Sequence, residues 1–134
     1  MTVRQDINVR QGTTFSFAHT VRDSSGAARV LTGYTARMAV RRSFAIGAGN
    51  SAYLSTGSDA EGGTLSIDEG TGIVTISMTA LETANVYGYV GLVIDDAEQY
   101  ERLIYDLELV DSAGSGSVER EIEGHFILQR EVTG

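Results

Sequence analysis

Short runs of strictly alternating apolar and polar residues, set between turns rich in glycine and aspartate, restrict this chain to a β fold. Val3, Gln5, Ile7 and Val9 alternate with Arg4, Asp6, Asn8 and Arg10. A two-residue period places one set of side chains in a core and the other in solvent. The same period returns at Phe15, Phe17, His19 and Val21, with Ser16, Ala18 and Thr20 opposite. In the next strand Ala36, Met38 and Val40 oppose Thr35, Arg37, Ala39 and Arg41, so one face is apolar and the other carries arginines. Sixteen glycines and no proline agree with strands joined by tight turns.

The remaining segments extend this pattern. Asp23-Ser24-Ser25-Gly26 supplies turn chemistry, and a third segment at 27–31 leads through Thr32-Gly33-Tyr34 into the arginine strand. Leu65 and Ile67, then Asp68-Glu69-Gly70-Thr71-Gly72, then Val74, Ile76 and Met78 read as a hairpin. Thr79-Ala80-Leu81-Glu82 fits a capping box that starts about two helical turns. Strands are expected at 87–94, 103–110, 118–122 and 124–130. The pattern fades over 43–63, where a mobile loop region is expected around a possible short strand at 52–55. Eight or nine short strands at this spacing predict an all-β fold: an antiparallel β-sandwich with one short helical turn, occupying residues 1–134 as a single domain.

Composition removes most chemistries. No cysteine is present, which excludes disulfides, thiolate metal sites and cysteine nucleophiles. The only histidines, His19 and His125, sit within strand patterns and lack a nucleophile-elbow sequence. Asp95, Asp96, Glu98 and Glu101 cluster in a turn, but the loop 95–101 lacks calcium-loop spacing and its glycine. No phosphate loop is present, and the chain contains no lysine at all. The expectation is therefore a non-enzyme without cofactor, metal or small-molecule substrate. The first residues lack the apolar core of a signal peptide and no apolar run is long enough for a membrane span, so no membrane partner is expected. A net charge of −8 argues against nonspecific binding of nucleic acid.

That charge is unevenly distributed. Residues 1–42 hold seven arginines against Asp6 and Asp23, while residues 43–134 hold three arginines against sixteen acids. Arg37 and Arg41 project from one strand face. Asp106 and Glu108 on one later strand, and Glu119, Glu121 and Glu123 alternating on another, offer acidic partners. These seven residues form the candidate protein interface. Their pairing is expected either within the chain, as a modest surface effect, or with a neighbouring copy in head-to-tail contacts around a symmetric ring.

Gln11-Gly12-Thr13-Thr14-Phe15, Leu31-Thr32-Gly33-Tyr34-Thr35-Ala36-Arg37-Met38, Tyr105-Asp106-Leu107-Glu108-Leu109, Gly124 and Glu131-Val132-Thr133, in this order, resemble a group of short phage and prophage structural proteins. More distantly, the chain is similar to the immunoglobulin-like N-terminal domain of phage baseplate upper proteins. The stretch 87–102 is longer than that resemblance implies, and an added hairpin is expected there. The resemblance implies a virion protein assembled in the host cytoplasm, associated with the tail at baseplate, neck or fibre attachment. It would act through other virion proteins and copies of itself. A capsid decoration or cement protein is the structural alternative. A carbohydrate-binding module is the alternative of another class, although the chain has no tryptophan for a sugar-stacking platform.

Overall fold

Alternation of burial along each strand builds the fold. The computed structural model describes residues 2–42, 51–90 and 100–130. Its strands are β1 (Val3–Arg4), β2 (Ile7–Arg10), β3 (Phe15–Thr20), β4 (Tyr34–Arg41), β5 (Ala52–Ser55), β6 (Gly63–Asp68), β7 (Ile73–Met78), β8 (Tyr100–Asp111) and β9 (Val118–Gln129). Two short helices, α1 (Ala80–Ala84) and α2 (Val86–Tyr89), join β7 to β8. Ile7 and Val9, then Ala36, Met38 and Val40, then Val74, Ile76 and Met78, are buried as the period requires. Each Val, Ile or Met among them contributes on the order of 1.5–3 kcal/mol when fully withdrawn from water.

The strands form one curled, half-barrel sheet in the order β1-β9-β8-β4-β5-β6-β7-β3, with β2 following β1 along β9. The sheet is mixed rather than antiparallel throughout: β1 and β2 run parallel to β9, and β5 runs parallel to β6. A two-residue period reads the same in either strand direction, so alternation alone does not carry this distinction. Leu107, Leu109, Ile122, Phe126 and Leu128 fill the concave side from β8 and β9, against Leu54, Ile76 and Met78 from the other half.

Four expectations need correction. The alternation across 3–9 is broken, because Gln5 and Asp6 separate β1 from β2 and only Ile7 and Val9 reach the core. There the chain crosses Gly124, whose missing side chain leaves room for the Gln5 carbonyl; an added Cβ would lie 2.3 Å from that oxygen. The Tyr105 hydroxyl, opposite Gly124 in register, donates to the same carbonyl. Second, residues 86–89 are helical instead of opening a strand at 87. The capping box at Thr79 and Glu82 forms as expected, and burial of Val86, Tyr87 and Val90 suits a helical face; residues 91–94 lie outside the described residues. Third, the segment 27–31 contributes only one bridge, Arg22 to Ala28, although Leu31 is fully buried. Fourth, Val118–Gln129 is one strand with a bulge opposite Leu107 and Glu108, in place of two strands at 118–122 and 124–130.

Part of the 43–63 region is built into the sheet. Ala52, Leu54 and Ser55 of β5 are buried, and Gly62 packs so closely on Ala52 that a Cβ there would meet the Ala52 Cβ at 2.8 Å. Residues 43–50 lie outside the described residues.

Candidate functional site

The convex face of β5, β4, β8 and β9 carries the first group of charges. Arg37 and Glu108 are direct neighbours across β4 and β8, and the Arg37 Nε donates to Glu108 Oε1 at 2.9 Å. Both side chains are partly exposed, which limits the pair to under about 1 kcal/mol. Asp106 lies directly opposite Glu123 across β8 and β9, a like-charge pairing that is unfavourable by itself. Arg120 resolves it by reaching Asp106 at 3.3 Å and Glu123 at 3.4 Å. Burial nevertheless pushes the Asp106 carboxyl above its ordinary value; Arg120 and Arg41 oppose that shift and Glu108 adds to it.

Arg41 is exposed and makes no ion pair among the described residues. Together with Arg37, Tyr53, Ile104, Asp106 and Arg120 it borders a shallow groove of about 450 Å³. Its lining mixes the three arginines with the acids Asp106 and Glu108 and with Ala39 and Ile104, and brings no histidine or serine together.

The bulge in β9 separates the three glutamates expected to share a face. Leu109 pairs with Glu119 and Leu107 with Ile122, so Glu119 falls on the concave side, Glu123 on the convex side, and Glu121 occupies the extra position. Glu119 accepts from both terminal nitrogens of Arg29 at 3.1 Å each, a fork-to-fork geometry stronger than a single-point contact. Arg29 also donates to the Tyr34 hydroxyl at 3.1 Å and lies 5.5 Å from that ring's centre. The guanidinium holds the Glu119 carboxyl below its usual range, and the carboxylate raises Arg29 in return. Glu121, only 7% exposed, meets His19 Nε2 at 2.8 Å.

Thus Arg37, Arg41, Asp106 and Glu108 come together as the sequence suggested, and Glu123 joins them through Arg120. Glu119 and Glu121 instead tie β9 to the first quarter of the chain. Sequence reasoning missed Arg29, His19 and Arg120 as their partners. The inward period of His19 was a signal for a buried polar contact; the bulge that supplies Glu121 left none.

His125 donates its backbone amide to Asp6 Oδ1 at 2.9 Å, which lowers the Asp6 carboxyl. Neither histidine touches a hydroxyl group among the described residues. Among those residues no cluster of histidines and acids could hold a metal ion, and no helix is long and apolar enough to cross a membrane. Residues 95–99 of the acidic loop lie outside them. No protein-family model matches the chain, and comparison with curated proteins finds no relative.

Proposed function

We propose that this chain is a non-enzymatic structural component of a bacteriophage virion, associated with the tail at baseplate, neck or fibre attachment and working by contact with other virion proteins and with copies of itself. The observation that carries the reading is where the phage-like motifs fall. Gly12 binds the Thr83 hydroxyl of α1. Leu31 is fully buried, and Gly33 turns with a positive φ of 82° against Ala113. Tyr105 spans Gly124 to hold the N-terminal crossing. Gly12, Leu31, Gly33, Tyr105 and Gly124, which belong to the motifs of the resemblance, thus also hold this fold, which supports the reading; Glu131-Val132-Thr133 lie outside the described residues.

The finer reading is an immunoglobulin-like sandwich. In its support, β3, β7 and β6 run antiparallel in one half, β4, β8 and β9 in the other, and the first strands pair parallel with the last. Arg41 and the groove beside it are the contact we assign to a neighbouring virion protein, because an exposed guanidinium that forms no ion pair among the described residues is available for docking and orientation.

Locating the protein in purified particles by cryo-EM tests the role. Density at the tail supports it; density on the capsid shell, or absence from particles, overturns it. Arg41→Ser tests the contact. Unchanged stability with reduced incorporation at moderate salt supports it, and normal incorporation removes it.

A further inference from the structure

Among the described residues, every strand but those at the two ends of the sheet is paired on both sides, and the two ends differ in kind. At one end β1 and β2 are interrupted at Gln5 and Asp6 and carry Arg4 and Arg10. Interruption and charge are the usual means of preventing edge-to-edge pairing. At the other end β3 is continuous for six residues, Phe-Ser-Phe-Ala-His-Thr, with neither charge nor proline.

The ladder fixes which backbone groups remain open. Pairing of β3 with β7 runs from Phe15 opposite Met78 to Thr20 opposite Ile73, and the Val21 amide continues it onto the Gly72 carbonyl. In an antiparallel ladder alternate residues turn both backbone groups to the same neighbour. Val21, His19, Phe17 and Phe15 therefore bond β7, and Ser16, Ala18 and Thr20 point their amides and carbonyls away from it. Ser16 and Ala18 are exposed and Thr20 is partly so. On the convex surface beside this edge stand Thr64, Ser66, Thr75 and Ser77, with the acid Asp68 at the far end of β6 in the row of Ile73 and Thr20.

We propose that β3 is a self-association edge, at which two copies of this chain pair antiparallel about a two-fold axis through Ala18. Only that register uses every open group: Ala18 faces its own copy, and Ser16 faces Thr20 of the second copy in both directions. A two-fold contact must be self-complementary, and an edge strand without Asp, Glu or Arg presents no like charge to its own copy. An uncharged edge with small outward side chains meets neither like charge nor steric bulk. This specifies the self-contact within the proposed function and rests on that reading only for its purpose. The test uses purified chain alone, so its failure is distinct from a failure to find the protein in particles.

Sedimentation velocity across a concentration series should show a dimer with twice the chain mass. Ala18→Pro removes the central amide at a position where an edge strand tolerates proline, and Ala18→Lys places two like charges on the axis. Both should sediment as monomers with an unchanged β circular-dichroism spectrum. Ala18→Cys gives an independent reading, since the chain has no cysteine of its own. Hydrogen-bonded antiparallel partners stand about 5.5 Å apart at Cα, within disulfide reach, so oxidation should yield a covalent dimer while Ser66→Cys remains uncoupled. A monomeric wild-type chain overturns the proposal, as does a dimer that survives both Ala18 substitutions. If Ser66→Lys alone dissociates the dimer, stacking through the Ser/Thr face replaces edge pairing. A monomeric chain whose Ala18→Pro variant fails to enter particles assigns the edge to another protein's strand.

Discussion

His19 and Glu121 meet at 2.8 Å although 102 residues separate them in the chain, and their contact joins β3, at one end of the sheet, to β9 near the other. The curled sheet is thus tied across its opening by side chains rather than by a backbone ladder. With side-chain exposures of 14% and 7%, neither group has much water to replace its partner. His19→Ala should destabilise by about 1–3 kcal/mol, the usual consequence of leaving a buried polar group unpaired. Urea unfolding of the two single variants and the double variant checks this. A double variant close to either single one is expected, and strict additivity would show that the contact is incidental.

The crossing over Gly124 predicts a steric effect. Gly124→Ala drives a methyl group into the Gln5 carbonyl and competes with the hydrogen bond from Tyr105. A loss of about 1–3 kcal/mol is expected from overpacking of this kind. Amide exchange should show it concentrated at β1 and β2, and uniform protection across those strands would contradict the account.

Thr83 connects α1 to the turn between β2 and β3. Its buried hydroxyl donates to the Thr13 carbonyl at 2.8 Å and accepts from the Gly12 amide at 3.0 Å. Thr83→Val keeps the shape and leaves both backbone groups unsatisfied, so a loss of about 1–3 kcal/mol is expected. Thr79→Ala, which removes only the exposed cap, should lose about 1 kcal/mol. Thermal unfolding compares the two, and an equal or larger effect at Thr79 would refute the assignment.

Acid sensitivity should divide by residue. Arg29 lowers the Glu119 carboxyl in the folded state, so its contribution is present above the ordinary value of 4.5 and is lost as pH falls through the lowered one. Glu119→Gln should therefore weaken the protein near neutrality by under about 1 kcal/mol and flatten the acid limb of its stability curve. Asp106 is shifted upward by burial, so its effect has the opposite sign: stability declines as pH rises through its raised value. Asp106→Asn should steepen the net acid loss. Denaturant midpoints from pH 3 to 7 measure both slopes, and matching slopes for the two variants would refute the division.

Arg120 keeps Asp106 and Glu123 apart in effect though they face each other in register. Arg120→Ala should destabilise by about 1 kcal/mol, and adding Glu123→Gln should restore most of that loss. Unchanged stability in the double variant relative to Arg120→Ala would show that the two acids do not repel.

The sequence by itself determined β3, β4, β6, β7 and β8, most of the inward side chains and the capped helical turn. Those depend on period and on contacts three or four residues apart: Met38 and Val40 point inward because Arg37 and Arg41 cannot, and Thr79 meets Glu82 within one turn. It also brought Arg37 and Glu108 onto one face, since each strand's parity is local. Tertiary structure alone decided the parallel partners of β9, the break at Gln5 and Asp6, and the fate of the three glutamates. A bulge adds one residue and inverts every later side chain, so parity read from the chain fails at Glu121, whose position is set by β8 and whose partner, His19, arrives from the opposite end of the sheet.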